Sequence, residues 1–124
     1  MENRNSNFLG TTTNFMDGKI FEKVYRVVKS IPKGKVLTYK IVAQVSGTDP
    51  RIVGFALHAN KFPDIIPCHR VVKNNGTIAN GYAFGGIKKQ REKLIKEGVV
   101  FINLKTVDLE YSLYKIPFWK KFFL

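Results

Sequence analysis

Acids, cysteine and histidine are scarce in this sequence, and each shortage narrows what the chain can do. Only 9 Asp and Glu stand against 21 Lys and Arg in 124 residues, leaving a formal charge of +12. That excess suits a polyanionic partner, nucleic acid first, with a solvated basic face as the plain alternative. A single cysteine excludes an internal disulfide and a multi-cysteine zinc site. With only His58 and His69 to add, no structural metal and no cofactor is expected. No apolar run approaches the roughly 18 residues of a membrane span. No signal-peptide pattern opens the chain, so an intracellular protein without a membrane partner is expected, in the cytoplasm or a eukaryotic nucleus.

What is present suffices for one core: 44% of the residues are hydrophobic. Residues 1–14 are polar and aperiodic and read as a flexible tail before a single domain over 15–124. Asp17 is a candidate N-cap for a helix in which Ile20, Val24, Val27 or Val28 and Ile31 recur at helical spacing, until Pro32 and Gly34 stop it. Thr38 caps a second helix, Tyr39 to Ser46, that Gly47 ends, and Asp49-Pro50 starts a third running to about Asn60. Two short capped helices around a glycine turn outline a helix-turn-helix, although packing of any small helical domain gives the same outline.

Further on, Asn75-Gly76 beside Val71-Val72 predicts a β-hairpin turn. A glycine loop from Asn80 to Gly86 leads into a last helix whose Ile87, Arg91, Leu94 and Ile95 share a face, with Glu97-Gly98 as its end. The C-terminal stretch carries Phe118, Trp119, Phe122 and Phe123, expected to pack back on the domain or else to offer an apolar patch to a partner.

The lone thiol, Cys68, is either a small core hydrophobe or a nucleophile. Its neighbours favour the second: Pro67 fixes the local backbone, and His69-Arg70 supply a proton acceptor and a positive charge. Glu97 adds a local conflict, since a carboxylate at a helix C-terminus is opposed by the helix dipole and needs another reason to be there.

The run Ile65-Ile66-Pro67-Cys68-His69-Arg70-Val71 resembles the active-site signature of the alkylguanine-DNA alkyltransferases, the methylated-DNA-protein-cysteine methyltransferases. Thr38-Tyr39, Pro50-Arg51 with Val53-Gly54, Asn60 and Glu97-Gly98 follow in the family's order, so the likeness spans about residues 18–101. It concerns only the family's C-terminal DNA-binding and active-site domain; a counterpart of the separate N-terminal domain is not expected in this sequence.

The resemblance implies a mostly α fold with a small β-hairpin, a winged-helix-like helix-turn-helix domain. It implies a suicide repair enzyme, monomeric, that takes an alkyl group from guanine O6 in double-stranded DNA onto Cys68. The helix-turn-helix would enter the minor groove, Arg51 would fill the gap left by an extruded base, and Pro50 and Gly54 would lie at the DNA. His69 would take the thiol proton through a water, Glu97 would orient His69, Tyr39 would donate to the departing guanine, and Asn60 would brace the reactive turn. Arg70, Val71, Gly81 and Tyr82, with Ala83, would contact the base or its alkyl group, and the aromatic tail would serve a repair-protein partner. Ile52 and Phe55 depart from the small residues the family carries on the groove face of this helix. They resemble instead the alkyltransferase-like proteins, which bind such lesions without a reactive cysteine. A lesion-binding module and a helix-turn-helix transcription regulator with an inert thiol therefore remain as alternatives.

Overall fold

Burial of one apolar stripe per helix draws the first three helices together. The computed structural model describes residues 18–78 and 81–124. In it α1 (Lys19–Lys29), α2 (Tyr39–Ser46) and α3 (Pro50–Ala59) pack against one another. Val24, Val27, Val28 and Ile31 of α1 and its exit meet Val42 and Ala43 of α2 and Val53, Ala56 and Leu57 of α3 in one buried cluster. The Tyr25 hydroxyl adds a directed tie, donating to the Ala56 carbonyl at 2.8 Å.

Local signals set the helix ends. The Thr38 side chain accepts from the Ile41 N–H, and the Asp49 side chain accepts from the Ile52 N–H. Each satisfies one of the amides that a helix start leaves without a partner. Gly47 closes α2 at φ 79°, a left-handed conformation that a side chain would strain, and so turns the chain into α3. For α1 the expected cap Asp17 lies outside the described residues, as do residues 1–14 and Asn80 of the glycine loop. The observed N-cap is Gly18, which makes no side-chain bond.

Two short strands, β1 (Leu37–Thr38) and β2 (Val71–Val72), pair in parallel, Leu37 opposite Val71 and Thr38 opposite Val72. The crossover between them is the α2–turn–α3 unit. This corrects the small hairpin expected from Asn75-Gly76. The turn itself forms, with the Gly76 N–H on the Lys73 carbonyl and the Lys73 N–H on the Thr77 carbonyl. Its outgoing arm goes elsewhere: the Ile78 N–H donates to Lys105, the Val107 N–H donates to Gly76, and Thr77 forms a lone antiparallel bridge with Thr106. Gly76, at φ 89°, lies so close to this segment that an added Cβ would stand 2.6 Å from the Val107 carbonyl oxygen.

The parallel pair separates two cores. Leu37 and Val71 face the three-helix cluster, while Val36 and Val72 face a second one with Ile78, Leu94, Val99 and Val107. Strands covered on both faces read as unbroken apolar runs, which is what Val36-Leu37 and Val71-Val72 are.

Helix α4 (Gly86–Lys96) closes the second core with Leu94 and Ile87. Ile95, expected on that face, is 47% exposed, because it lies one residue round from Leu94. Gln90 takes the inward position instead, its amide donating to the His69 and Val71 carbonyls at 3.0 and 3.3 Å. Beyond α5 (Leu109–Ser112) a 3-10 turn spans Phe118–Phe122. Phe118, Trp119, Phe122 and Phe123 are all exposed, and only Leu124 of this stretch reaches the core. The aromatic cluster thus does not pack back: its rings meet each other, Phe118 on Phe122 and Trp119 on Phe123.

Candidate active site

Pro67 opens a single 3-10 turn, Cys68–Arg70, that joins the loop after α3 to β2. Asn60, the residue that ends α3, is buried and works in both directions. Its amide donates to the Ile66 carbonyl, and its side-chain oxygen accepts from the Phe62 N–H. The loop that carries the cysteine is therefore pinned to the end of the helix before it.

Cys68 is 5% exposed and belongs to the first core together with Tyr82. Burial pushes its thiol pKa up, while a hydrogen bond from Asn60 and the positive charge of Lys93 oppose the rise. Burial also raises the hydroxyl of Tyr39, with a smaller contribution from the charge at Cys68.

His69, also 5% exposed, has its Nε2 3.0 Å from Glu97 Oε2. Burial holds its imidazole pKa below the usual value, against the opposing pull of Glu97, so the ring is neutral at pH 7. A neutral ring facing a carboxylate carries its proton on Nε2, which leaves a lone pair on Nδ1. That Nδ1 is buried and has no hydrogen-bond partner among the described residues.

Glu97 is held by Arg70. The guanidinium grips both carboxylate oxygens, Nε on Oε1 at 2.9 Å and Nη2 on Oε2 at 2.7 Å, and its Nη1 donates to the Ile31 carbonyl at 2.7 Å. Burial raises the Glu97 pKa, but the bonds from Arg70 and His69 outweigh it and hold the carboxyl below its ordinary range. The carboxylate at the end of α4 is thus explained, since the neighbouring cation offsets the helix dipole. Arg70, expected among the base-contacting residues, spends its donors inside the protein and serves as the anchor of Glu97.

Val71, expected to offer main-chain groups to a base, already has its N–H on Cys68 and its carbonyl on Gln90. Tyr82 is buried edge-on to His69, ring centroids 6.4 Å apart, while Gly81 and Ala83 are exposed. Gln90 and Lys93 were missed, because no local pattern marks a helix residue that bonds to main-chain groups 21 and 19 positions earlier, as Gln90 does, or to a loop phenol 11 positions earlier, as Lys93 does.

The outer face of α3 presents Pro50, Arg51, Phe55 and His58 to solvent. Ile52 faces inward at 7% exposure, so its bulk does not reach a groove; Phe55, 48% exposed, does stand on that face. Gly54 is half-buried, and a Cβ added there would meet nothing within 4 Å. Internal packing therefore does not require this glycine.

A cavity of about 550 Å3 is lined by His69, Arg70 and Glu97 together with Lys29, Lys33 and Lys93. Among the described residues no group of acids, histidines and cysteine could hold a metal ion.

The fold and the site define a helix-turn-helix domain whose second helix is followed by a turn carrying a buried thiol and a buried imidazole, the imidazole paired with Glu97. Residues 19–99 match the family model described as the DNA binding domain of 6-O-methylguanine DNA methyltransferase, and the chain belongs to that family. The methylated-DNA–protein-cysteine methyltransferase of Methanothermobacter thermautotrophicus is 48% identical over 77 residues, covering 62% of this chain and 43% of that protein. The enzyme of the same name from Metallosphaera sedula is 40% identical over 95 residues, 77% of this chain and 51% of that protein. The chain thus spans about half the length of the curated relatives it matches. Among solved structures, S. pombe Atl1, crystallised with damaged DNA containing O6-carboxymethylguanine, superimposes with a TM-score of 0.68 at 32% identity, covering 79% of this chain and 96% of that one. The O6-methylguanine-DNA methyltransferase of Pyrococcus kodakaraensis KOD1 gives 0.57 at 37% identity, covering 76% and 51%. No described helix is long and apolar enough to cross a membrane.

Proposed function

We propose that the chain repairs double-stranded DNA by moving an alkyl group from guanine O6 to Cys68, once per molecule. The observation that carries this reading is the neutral, buried His69, tied to Glu97 through Nε2 and open at Nδ1, in the residue next to the chain's only thiol.

The chemistry balances as a displacement. His69 takes the thiol proton through a water, and the sulfur anion attacks the alkyl carbon in line with its bond to O6. A carbon–sulfur bond forms while the carbon–oxygen bond breaks, and the electron pair passes into the guanine ring. A proton from the Tyr39 hydroxyl lets the base leave neutral, and the proton held on His69 restores the balance. The thioether product is a poor leaving group, and with no second cysteine to resolve it the protein stops after one event.

Alkylated O6 lies inside the duplex, so the base must be rotated out before sulfur can reach it. Arg51, exposed in the first turn of α3, would fill the space it leaves. Entry through the minor groove, a monomeric state, action in the cytoplasm or a eukaryotic nucleus, and a repair partner on the exposed aromatic tail belong to the same reading. A second reading, lesion binding without transfer, draws on the likeness to S. pombe Atl1 and on the bulk of Phe55. Cys68 beside an open base speaks against it.

Cys68→Ala should bind a methylguanine duplex but transfer nothing, and Arg51→Ala should weaken lesion binding by about 1–3 kcal/mol, the worth of one stacking contact. Undiminished transfer by Cys68→Ala would remove the mechanism.

A further inference from the structure

Lys93 stands one helical turn before Glu97 and lines the same cavity as His69. Its ammonium donates to the Tyr82 hydroxyl at 2.8 Å and lies 5.5 Å from the centre of that ring. At that distance, with the phenol oxygen between them, the cation sits off the hydroxyl end rather than over the face, so the hydrogen bond holds it. Tyr82 is buried, edge-on to His69 on one side and to Phe84 on the other, ring centres 6.4 and 5.8 Å away. A cation, a phenol and the imidazole thus stand in sequence beside the thiol.

We propose that Lys93 is a positioning residue for alkyl transfer: its tethered ammonium locks the Tyr82 ring against His69 and sets an unshared positive charge toward the reactive turn. The proposal rests on the alkyl-transfer reading for its biological meaning, not for its geometry. Arg70, whose charge also acts on His69, is neutralised by Glu97. Among the described residues Lys93 has only the neutral Tyr82 phenol as hydrogen-bond partner, and Asp64, which lines the same cavity and acts on Tyr82, makes no ion pair with it, so the Lys93 charge remains to act on the sulfur and the imidazole.

The groups facing Cys68 are Tyr25 of α1, Tyr39 of α2, Asn60 at the end of α3, Tyr82 and Lys93, with His69 beside it. None of the three phenols is charged at neutral pH, so Lys93 alone among the side chains of this set outside the catalytic pair carries a full charge. It favours the sulfur anion and disfavours the imidazolium, so the Cys68–His69 pair holds fewer protons near neutrality.

Lys93→Met, Lys93→Arg and Tyr82→Phe separate charge from tether. The probe is iodoacetamide, whose rate with Cys68 is followed against pH, alongside transfer from a methylguanine duplex and thermal unfolding. In Lys93→Met the alkaline rise of the iodoacetamide rate should move up by about 0.5 pH unit, with neutral-pH alkylation falling about threefold. Lys93→Arg should restore both, and Tyr82→Phe should keep most of the shift-determining charge while slowing transfer to DNA. A Lys93→Met profile that superimposes on the wild type, in a folded protein, would overturn the proposal. Because iodoacetamide reads the thiol directly, that outcome counts against Lys93 even if the wild type transfers no methyl group, a failure that would instead sink the function proposed above.

Discussion

Replacing Arg70 with Met keeps the length of the side chain and removes all three of its hydrogen bonds, two to Glu97 and one to the Ile31 carbonyl. The Arg70 and Glu97 side chains are 12% and 15% exposed, so the pair is nearly but not wholly withdrawn from water. Removing one partner of a fully buried pair costs about 3–5 kcal/mol, and this exposure puts the loss at the low end, about 3 kcal/mol at pH 7. For a domain of this size that lowers Tm by roughly 10–15 °C. The deficit should depend on pH with a definite sign. Glu97 has a lowered folded pKa, so its contribution is present above the ordinary carboxylate value and is lost as pH falls through the folded one. The gap between wild type and Arg70→Met should therefore narrow in thermal melts taken from pH 7 down to about pH 3. His69 also has a lowered pKa, chiefly from burial, and its contribution fades over a higher window, below the usual imidazole value. It does so in both proteins and leaves most of the gap unchanged. An unaltered Tm at pH 7, or a deficit of the same size at both ends of the range, would refute Arg70 as the anchor of an ionised Glu97.

Ser46 buries a hydroxyl that has no hydrogen-bond partner among the described residues, so Ser46→Ala should raise stability by about 1 kcal/mol in denaturant unfolding, and a loss would show that the hydroxyl is satisfied. Gly54→Ala has room for its methyl group and should gain up to about 1 kcal/mol from helix propensity. If Gly54 is kept for close approach of DNA, the same variant should bind duplex several-fold more weakly, and unchanged binding would remove that role. Non-specific duplex affinity should fall steeply with salt, because a chain of charge +12 releases counterions as it neutralises phosphates; a flat response would deny that the basic surface meets DNA.

The helix-turn-helix was readable because its signals are local. Thr38, Gly47, Asp49 and Pro50 each act within one turn of their own position, and each does in the structure what its chemistry predicts. The hairpin misled for the complementary reason. Asn75-Gly76 specifies a turn but not which strand pairs with its arms, and β2 found its partner more than thirty residues earlier. Ile95 was misplaced by a single position, because Gln90 takes the inward place that a purely apolar pattern does not assign to an amide.

The site divides in the same way. Pro67-Cys68-His69 pointed to a thiol with a proton acceptor next to it in sequence, and Glu97 at a helix end pointed to something that holds it there. What holds it was not legible: the fork from Arg70 depends on α1, β2 and α4 converging. The contact of Lys93 with Tyr82 is likewise a product of packing, between a helix and the loop before it.

The sharpest measurement is the mass of the proteolytic peptide containing Cys68 after incubation with a duplex bearing O6-methylguanine. One added methyl group per protein molecule, absent with unmodified duplex and not increasing when the lesion is in excess, is the expected result. Tight, lesion-selective binding with an unmodified Cys68 peptide would contradict alkyl transfer.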